Sequence, residues 1–413
     1  MRILFIHQSF PGQYRHIVRA LASQKCHQLV ALGIEPATEL IPDGVTYLRY
    51  NLSRGNTSGI HEWLLDLDSK LIRGEACANA ALQLRHQGFE PDLICAHPGW
   101  GEALFVRDIW PNVPLLCYQE FFYHARGVDS DFDHEFQESP DWRECARLRI
   151  KKANPLLMLQ ASDWNVTPTH FQKSTFPEEY HSRISVIHDG IDTDLASPNP
   201  SVSPLTLNDD TCFSYGEKII TFVNRRIEPY RGCHTFIRSI PDLQRMNPDA
   251  RIVVVGEAKG VSYGKSAPGN CWRDIFLQEI DGKFDPTRVH FTGSLSYADF
   301  LHLLKLSACH VYLTYPFVLS WSLLEAMSIG LPIVGSMTQP VQEVIRDNEN
   351  GLLVDFFSTE ALVESVTRIL KDRQLASRLG TAARSDIIKK YSLKQCVSRQ
   401  LALIELIAAG DFS

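Results

Sequence analysis

Pro316-Phe317-Val318-Leu319-Ser320-Trp321-Ser322-Leu323-Leu324-Glu325-Ala326-Met327-Ser328-Ile329-Gly330-Leu331-Pro332-Ile333-Val334 follows one apolar strand, 309–313, runs through a helix at 321–329 and ends in the next apolar strand, 332–335. A strand, a helix and a second strand in this order make a βαβ unit, which places both strands parallel in one sheet. Outward from it the alternation continues, with strands at 218–223, 251–255 and 288–292 and helices at 231–245, 296–306, 358–370 and 373–389. The first half reads the same way, with strands at 2–6, 28–33, 45–50, 92–95, 114–118, 163–166 and 184–187. Its clearest helices are 13–24, 61–87, 100–109 and 141–160. Between the halves, 197–217 is rich in proline and turn formers and reads as a linker. The expected fold class is therefore α/β, with two Rossmann-like parallel-sheet domains at 1–196 and 218–390. A last amphipathic helix within 391–413 is expected to pack back on the first domain. Parallel sheets bind ligands beyond the carboxyl ends of their strands, so loops of both halves should line an inter-domain cleft.

At 413 residues the chain is long enough for two such domains, at roughly 150 residues each. A formal net charge of -7 argues against wholesale binding of nucleic acid. No stretch approaches the ~18 apolar residues of a membrane span. The run Ile3-Leu4-Phe5-Ile6 is too short for the core of a signal peptide, so a cytoplasmic location is expected. The 10 cysteines form no short-range pairs of the zinc or redox type, and several lie in apolar runs as small hydrophobes.

Two stretches carry chemistry. In the quoted segment Ser320 is placed to cap the helix, leaving the amides of Trp321, Ser322 and Leu323 and the helix dipole as an anion site. Glu325, one turn further, could accept both hydroxyls of a ribose. Upstream, Phe222-Val223-Asn224-Arg225-Arg226-Ile227-Glu228-Pro229-Tyr230-Arg231-Gly232 is again a strand end, a loop and a helix start. Arg226 and Arg231 can converge there on phosphate oxygens and stabilise a leaving diphosphate.

Together these stretches resemble the retaining glycosyltransferases of family 4, which have the GT-B fold of two facing Rossmann-like domains. The resemblance also rests on His7-Gln8-Ser9-Phe10-Pro11-Gly12-Gln13-Tyr14, on Val186-Ile187-His188-Asp189-Gly190-Ile191-Asp192, and on Val253-Val254-Val255-Gly256. Val289-His290-Phe291-Thr292-Gly293 and Asn350-Gly351-Leu352-Leu353-Val354 complete it. It implies a nucleoside-diphosphate sugar as donor, with UDP the first choice of nucleotide, and transfer without a metal or other cofactor. Arg226 and Arg231 would hold the diphosphate, Glu325 the ribose, and backbone around Gly293 to Leu295 the base, while Gly12 would let a first-domain loop approach closely. The chain departs from the family twice. Phe317 stands where the first of two glutamates is usual, and Glu120 stands by spacing where a histidine is usual, with His124 as a substitute from the same loop. Glu120 is therefore the expected contact to the donor sugar or acceptor.

Other features compete with this reading. Asp129, Asp131 and Asp133 are spaced as oxygen ligands for a divalent ion, although the resemblance implies none. Arg143, Arg147, Arg149, Lys151 and Lys152 precede apolar residues and offer a peripheral contact to anionic lipid at the inner membrane face. Tyr315, Phe317 and Trp321 could stack on a sugar or base. The acceptor is unidentified: a saccharide, a lipid-linked or a small molecule. Phe317 keeps open a non-catalytic nucleotide-sugar-binding partner of another transferase. A sugar-nucleotide epimerase on the same fold is the other alternative. With neither a G-x-S-x-G elbow, a P-loop nor a glycine-triplet fingerprint, hydrolase and hydride-transfer readings are disfavoured.

Overall fold

Ile3 and Phe5 of the first strand belong to one apolar cluster and Leu4 and Ile6 to another, and all four are fully buried. Because side chains alternate across a strand, such a strand must be covered on both faces. The computed structural model, which describes residues 1–37, 39–136, 140–207, 211–269 and 271–410, shows that covering. Strands β1 (Arg2–Ile6), β2 (Gln28–Gly33), β3 (Val45–Arg49), β4 (Leu93–Ala96), β5 (Leu115–Tyr118), β6 (Trp164–Thr167) and β7 (Ile184–Val186) form a parallel sheet. Their order is β3-β2-β1-β4-β5-β6-β7. One face packs on the helix Arg15–Ser23, through Ile17, Val18 and Leu21, and on the C-terminal helix Leu393–Ala408, through Leu403, Ile404 and Ile407. The other face packs on Cys77, Ala81 and Leu84 of the helix Leu65–His86.

The second unit begins with a short antiparallel pair, β8 (Leu205–Thr206) and β9 (Cys212–Phe213). It continues with β10 (Ile219–Arg226), β11 (Arg251–Glu257), β12 (Val289–Gly293), β13 (Cys309–Tyr312), β14 (Ile333–Ser336) and β15 (Leu352–Val354). These six run parallel in the order β12-β11-β10-β13-β14-β15. The order reverses between β1 and β4 in the first sheet and between β10 and β13 in the second, and such switch points are where open parallel sheets bind ligands.

The division of the chain differs from the expected one. The first unit comprises Met1–Asp131, Ser139–Gly190 and Leu393–Ser413, and the chain enters the second at Ile191 rather than at a linker over 197–217. Leu205 and Phe213 of that stretch are buried in the second unit's core, so its apolar residues outweigh its turn formers; Asn208, Asp209 and Asp210 of the expected linker lie outside the described residues. A short stretch beginning at Phe132 also counts with the second unit. The expected helix at 100–109 shrinks to Val106–Ile109, because Gly101 adopts φ +100°. The expected helix at 141–160 divides into Trp142–Lys151 and Ala153–Ala161, since Pro155 has no N–H to donate to the preceding turn.

Gly190 has φ +95°, and a Cβ there would lie 2.8 Å from Leu393 Cα, so glycine lets the C-terminal helix start against this turn. Gly380, in the helix Arg373–Lys390, meets the next layer as closely: a Cβ would overlap the Gly330 carbonyl. Gly380→Ala should force this helix off its neighbour and lower stability by about 1–3 kcal/mol, read from urea unfolding. Glu102 is fully buried in the first unit, and burial raises its carboxyl from 4.5 to about 7 against the weaker pull of Arg73 and Lys70. The folded chain thus keeps this proton across a range where the unfolded chain has lost it, and stability falls as pH rises from 4.5 to 7. Glu102→Gln should remove roughly 3 kcal/mol of that fall, measured as the difference in urea midpoint between pH 5 and pH 8.

Candidate functional site

Between β10 and the helix Cys233–Met246 the residues Pro229–Arg231 make one tight turn, closed by Gly232 at φ +70°. Leu313 fills the space where a Cβ on Gly232 would stand, so the turn needs glycine both for its conformation and for its packing. The turn drives Arg231 inward to 8% exposure. Its Nη1 donates to Thr314 Oγ1 at 2.9 Å, to the Val318 carbonyl at 2.9 Å and to the Tyr312 hydroxyl at 3.3 Å. The Ser320 amide donates to the same Tyr312 hydroxyl at 2.8 Å. Arg231 therefore sits beside the start of the helix Trp321–Ile329, at the switch point between β10 and β13.

Ser320 caps that helix. Its side-chain oxygen accepts from the Ser322 amide at 3.3 Å, and its carbonyl accepts from the Leu323 amide at 3.3 Å. The expectation of three amides open to an anion is corrected accordingly, since two have partners in the cap itself. Both bonds are at the long, weak end of the range, where a charged acceptor competes well. Trp321 is half-buried against the core. Glu325, 8% exposed one turn into the helix, accepts a 2.7 Å hydrogen bond from the Tyr297 hydroxyl on the helix Tyr297–Leu306.

Arg226 ends β10 after a register shift that starts at Val223, and its Nη1 donates to the Lys259 carbonyl. It is half-buried, unlike Arg231. Gly293 ends β12 at φ +67° with open space where a Cβ would stand. Leu295 packs its side chain on the core, which leaves only its backbone for a ligand. A cavity of about 620 Å³ opens beyond β11 and β12, lined by Gly256, Lys259, Gly260, Arg273, Phe291 and Gly293.

The stacking roles expected of Tyr315 and Phe317 are corrected. Both are core residues: Tyr315 is fully buried and donates its hydroxyl to Asp133 at 2.6 Å. Phe317 packs edge-on against Tyr230 at 5.4 Å and on Tyr263 at 4.6 Å. Asp133 also meets His234 Nε2 at 3.2 Å, and Glu135 binds Arg238, so these two acidic residues tie their stretch to the second unit's helix Cys233–Met246. Asp131 accepts from the Gly127 amide instead, while the metal-ligand types that come together among the described residues are Asp133, Glu135 and His234.

In the first unit, Gly12 follows β1 at φ +49°, and the His7 ring occupies the space a side chain would need. The Ser9 amide donates to His7 Nδ1, which leaves the proton on Nε2 to bond Gln13 Oε1 at 2.7 Å. Gln13 Nε2 then donates to Glu120 Oε1 at 3.5 Å. Burial lowers His7 to about 4, so this chain of contacts starts from a neutral ring at pH 7. His124 bonds the Thr175 carbonyl at 2.6 Å. Next to His7, His97 stacks between Trp100 and Tyr118. Much of the basic cluster is used internally: Arg147 on Glu144, Lys151 over Tyr123, and Arg143 over Trp63 and Trp142. No described helix is long and apolar enough to cross a membrane.

Tyr312, Tyr297, Gln13 and His97 are the contributors that motif reading missed. Only Tyr312 had a local signal, a polar aromatic at the carboxyl end of a strand beside the switch point.

Comparison with known proteins agrees with this arrangement. The glycosyl transferase family 4 group matches residues 25–196, and glycosyl transferases group 1 matches residues 210–386. The chain belongs to the family 4 glycosyltransferases, and its two parallel-sheet units give it the GT-B fold. It is 23% identical over 300 residues to the D-inositol 3-phosphate glycosyltransferase of Corynebacterium glutamicum (strain R), covering 71% of this chain and 67% of that one. Sucrose-phosphate synthase from Thermosynechococcus elongatus superimposes with a TM-score of 0.74 at 17% identity, over 99% of this chain and 100% of that one. The Anabaena protein HepE, solved with UDP and glucose, gives a TM-score of 0.67 at 15% identity, over 98% of this chain and 99% of that one. The protein is a glycosyltransferase.

Proposed function

We propose that the protein moves a sugar from a nucleoside-diphosphate sugar, UDP-linked, to a saccharide, lipid-linked or small-molecule acceptor, with retention of anomeric configuration and no metal. The observation that carries the reading is the Tyr312 hydroxyl, which joins the buried Arg231 guanidinium to the first amide of a helix cap. Cation and helix N-terminus there add their fields at one point. A diphosphate seated at this point gains charge as the bond from the sugar carbon to its oxygen breaks, and fixed donors stabilise that charge without reorganising. Arg226 supplies a second guanidinium and Glu325 accepts the ribose hydroxyls, with Tyr297 fixing its rotamer. The base lies over Gly293, beside the cavity at the ends of β11 and β12. With retention, the acceptor oxygen bonds the sugar carbon on the face the diphosphate leaves, and the acceptor proton passes to the departing phosphate oxygen. The UDP complex of HepE supports the choice of nucleotide. A thermal-shift series of UDP, GDP and ADP with their sugars tests the donor, and UDP should give the largest rise in melting temperature. Arg231→Ala should abolish that rise and lower kcat/KM for donor turnover about 10²–10³-fold; full activity would overturn the reading.

A further inference from the structure

Glu228 is a buried carboxylate to which the proposed reaction gives no task. It lies between Arg226 and Arg231 in sequence and is 1% exposed. Burial raises its carboxyl above the ordinary range, opposed by two backbone hydrogen bonds and by the charges of Arg231 and Arg226. Those bonds come from a loop more than thirty residues away: Oε2 accepts from the Ser262 amide at 2.6 Å and from the Tyr263 amide at 3.2 Å. The same loop meets the arginine segment at four more points. The Lys259 carbonyl accepts from Arg226 Nη1, and a Cβ on Gly260 would lie 3.0 Å from that nitrogen. Gly264, at φ +79°, packs where a Cβ would come 2.9 Å from the Tyr230 ring. The Tyr263 ring lies 5.4 Å from the Arg231 guanidinium carbon and against Phe317.

Two adjacent amides converging on one carboxylate oxygen fix a loop's path, and a desolvated carboxylate holds them more firmly than a neutral oxygen would. We propose that Glu228 is a positioning residue that holds the 259–264 loop on Arg226 and Arg231, so that Tyr263 walls the seat of the donor diphosphate. This rests on the donor site proposed above. Glu228 itself touches no substrate; it acts through the loop. Phe317 then has a purpose as the apolar floor on which Tyr263 rests, where a carboxylate would draw Arg231 into an ion pair.

The test uses UDP as probe and the full-length chain. Wild type, Glu228→Ala, Glu228→Gln and Tyr263→Ala are titrated with UDP and digested with trypsin, which can cut after Lys259 and Lys265. Glu228→Ala should speed cleavage at these two lysines and weaken UDP about tenfold, while Glu228→Gln, whose amide oxygen still accepts, recovers most of both. Tyr263→Ala keeps the backbone anchors and should weaken UDP with little change in cleavage. Faster cleavage in Glu228→Ala with unchanged UDP affinity would make Glu228 a structural anchor only and overturn the proposal. So would unchanged cleavage. If Glu228→Ala does not fold, unchanged UDP affinity in Tyr263→Ala overturns it instead. Failure of wild type to bind UDP, GDP or ADP would instead remove the donor site and this proposal with it.

Discussion

A buried guanidinium must have its donors satisfied, and the way Arg231 is satisfied decides what the second unit can do. Its Nη1 is met by a hydroxyl, a second hydroxyl and a carbonyl, all neutral, and no carboxylate forms an ion pair with it among the described residues. Dipoles remove the cost of desolvating the group without cancelling its charge. The positive field therefore survives for a ligand. Holding those oxygens in place engages the end of β13 through Tyr312, the segment beyond it through Thr314 and Val318, and the left-handed turn at Gly232. The helix Trp321–Ile329 is tied to the same spot through the Ser320 amide.

The sheet topology explains why this happens at the carboxyl end of β10. Strand β11 lies on one side of β10 and β13 on the other, so the loops after β10 and β13 part company and leave a gap. Arg231 comes from the first of these loops and its acceptors from the second. The first unit uses the equivalent gap between β1 and β4, where His7 and His97 lie edge to face at the ends of neighbouring strands. Polar side chains gather there, in rings kept neutral by burial, whereas the second unit gathers cations.

Most strands were legible because they are short apolar runs, and a run buried on both faces keeps that signature whatever packs on it; β8, β9 and β15, only two or three residues long, were not expected. Helix 321–329 was legible to the residue because Ser320 is a local signal: its cap involves amides only two and three positions on. What could not be read depends on partners far away in sequence. The proline-rich stretch before β10 looked like a linker, yet Leu205 and Phe213 find a core that their neighbours do not announce. Tyr315 and Phe317 sit at a strand-to-helix junction, where an aromatic ring can face a ligand or the interior, and only the positions of Tyr230, Tyr263 and Asp133 show that they face inward. Arg226 and Arg231 were found by type and spacing, but five residues of separation could not reveal that one is buried on dipoles while the other leans on a loop. Glu228 stood in the same stretch and went unread, because its meaning lies in amides 34 and 35 residues ahead.

The C-terminal helix gives the order of the chain an unusual relation to its architecture. Leu403, Ile404 and Ile407 complete the apolar layer that begins with Ile3 and Phe5, so the first unit is closed by a segment that follows the whole second unit in the chain. Without it Ile17, Val18 and Leu21 have an uncovered flank, while the second unit keeps all its strands. Losing the helix Leu393–Ala408 would thus leave Arg226, Arg231 and the helix Trp321–Ile329 in place and open the core of the first unit instead. Damage to this helix would appear as misfolding of the unit that holds the first seven strands.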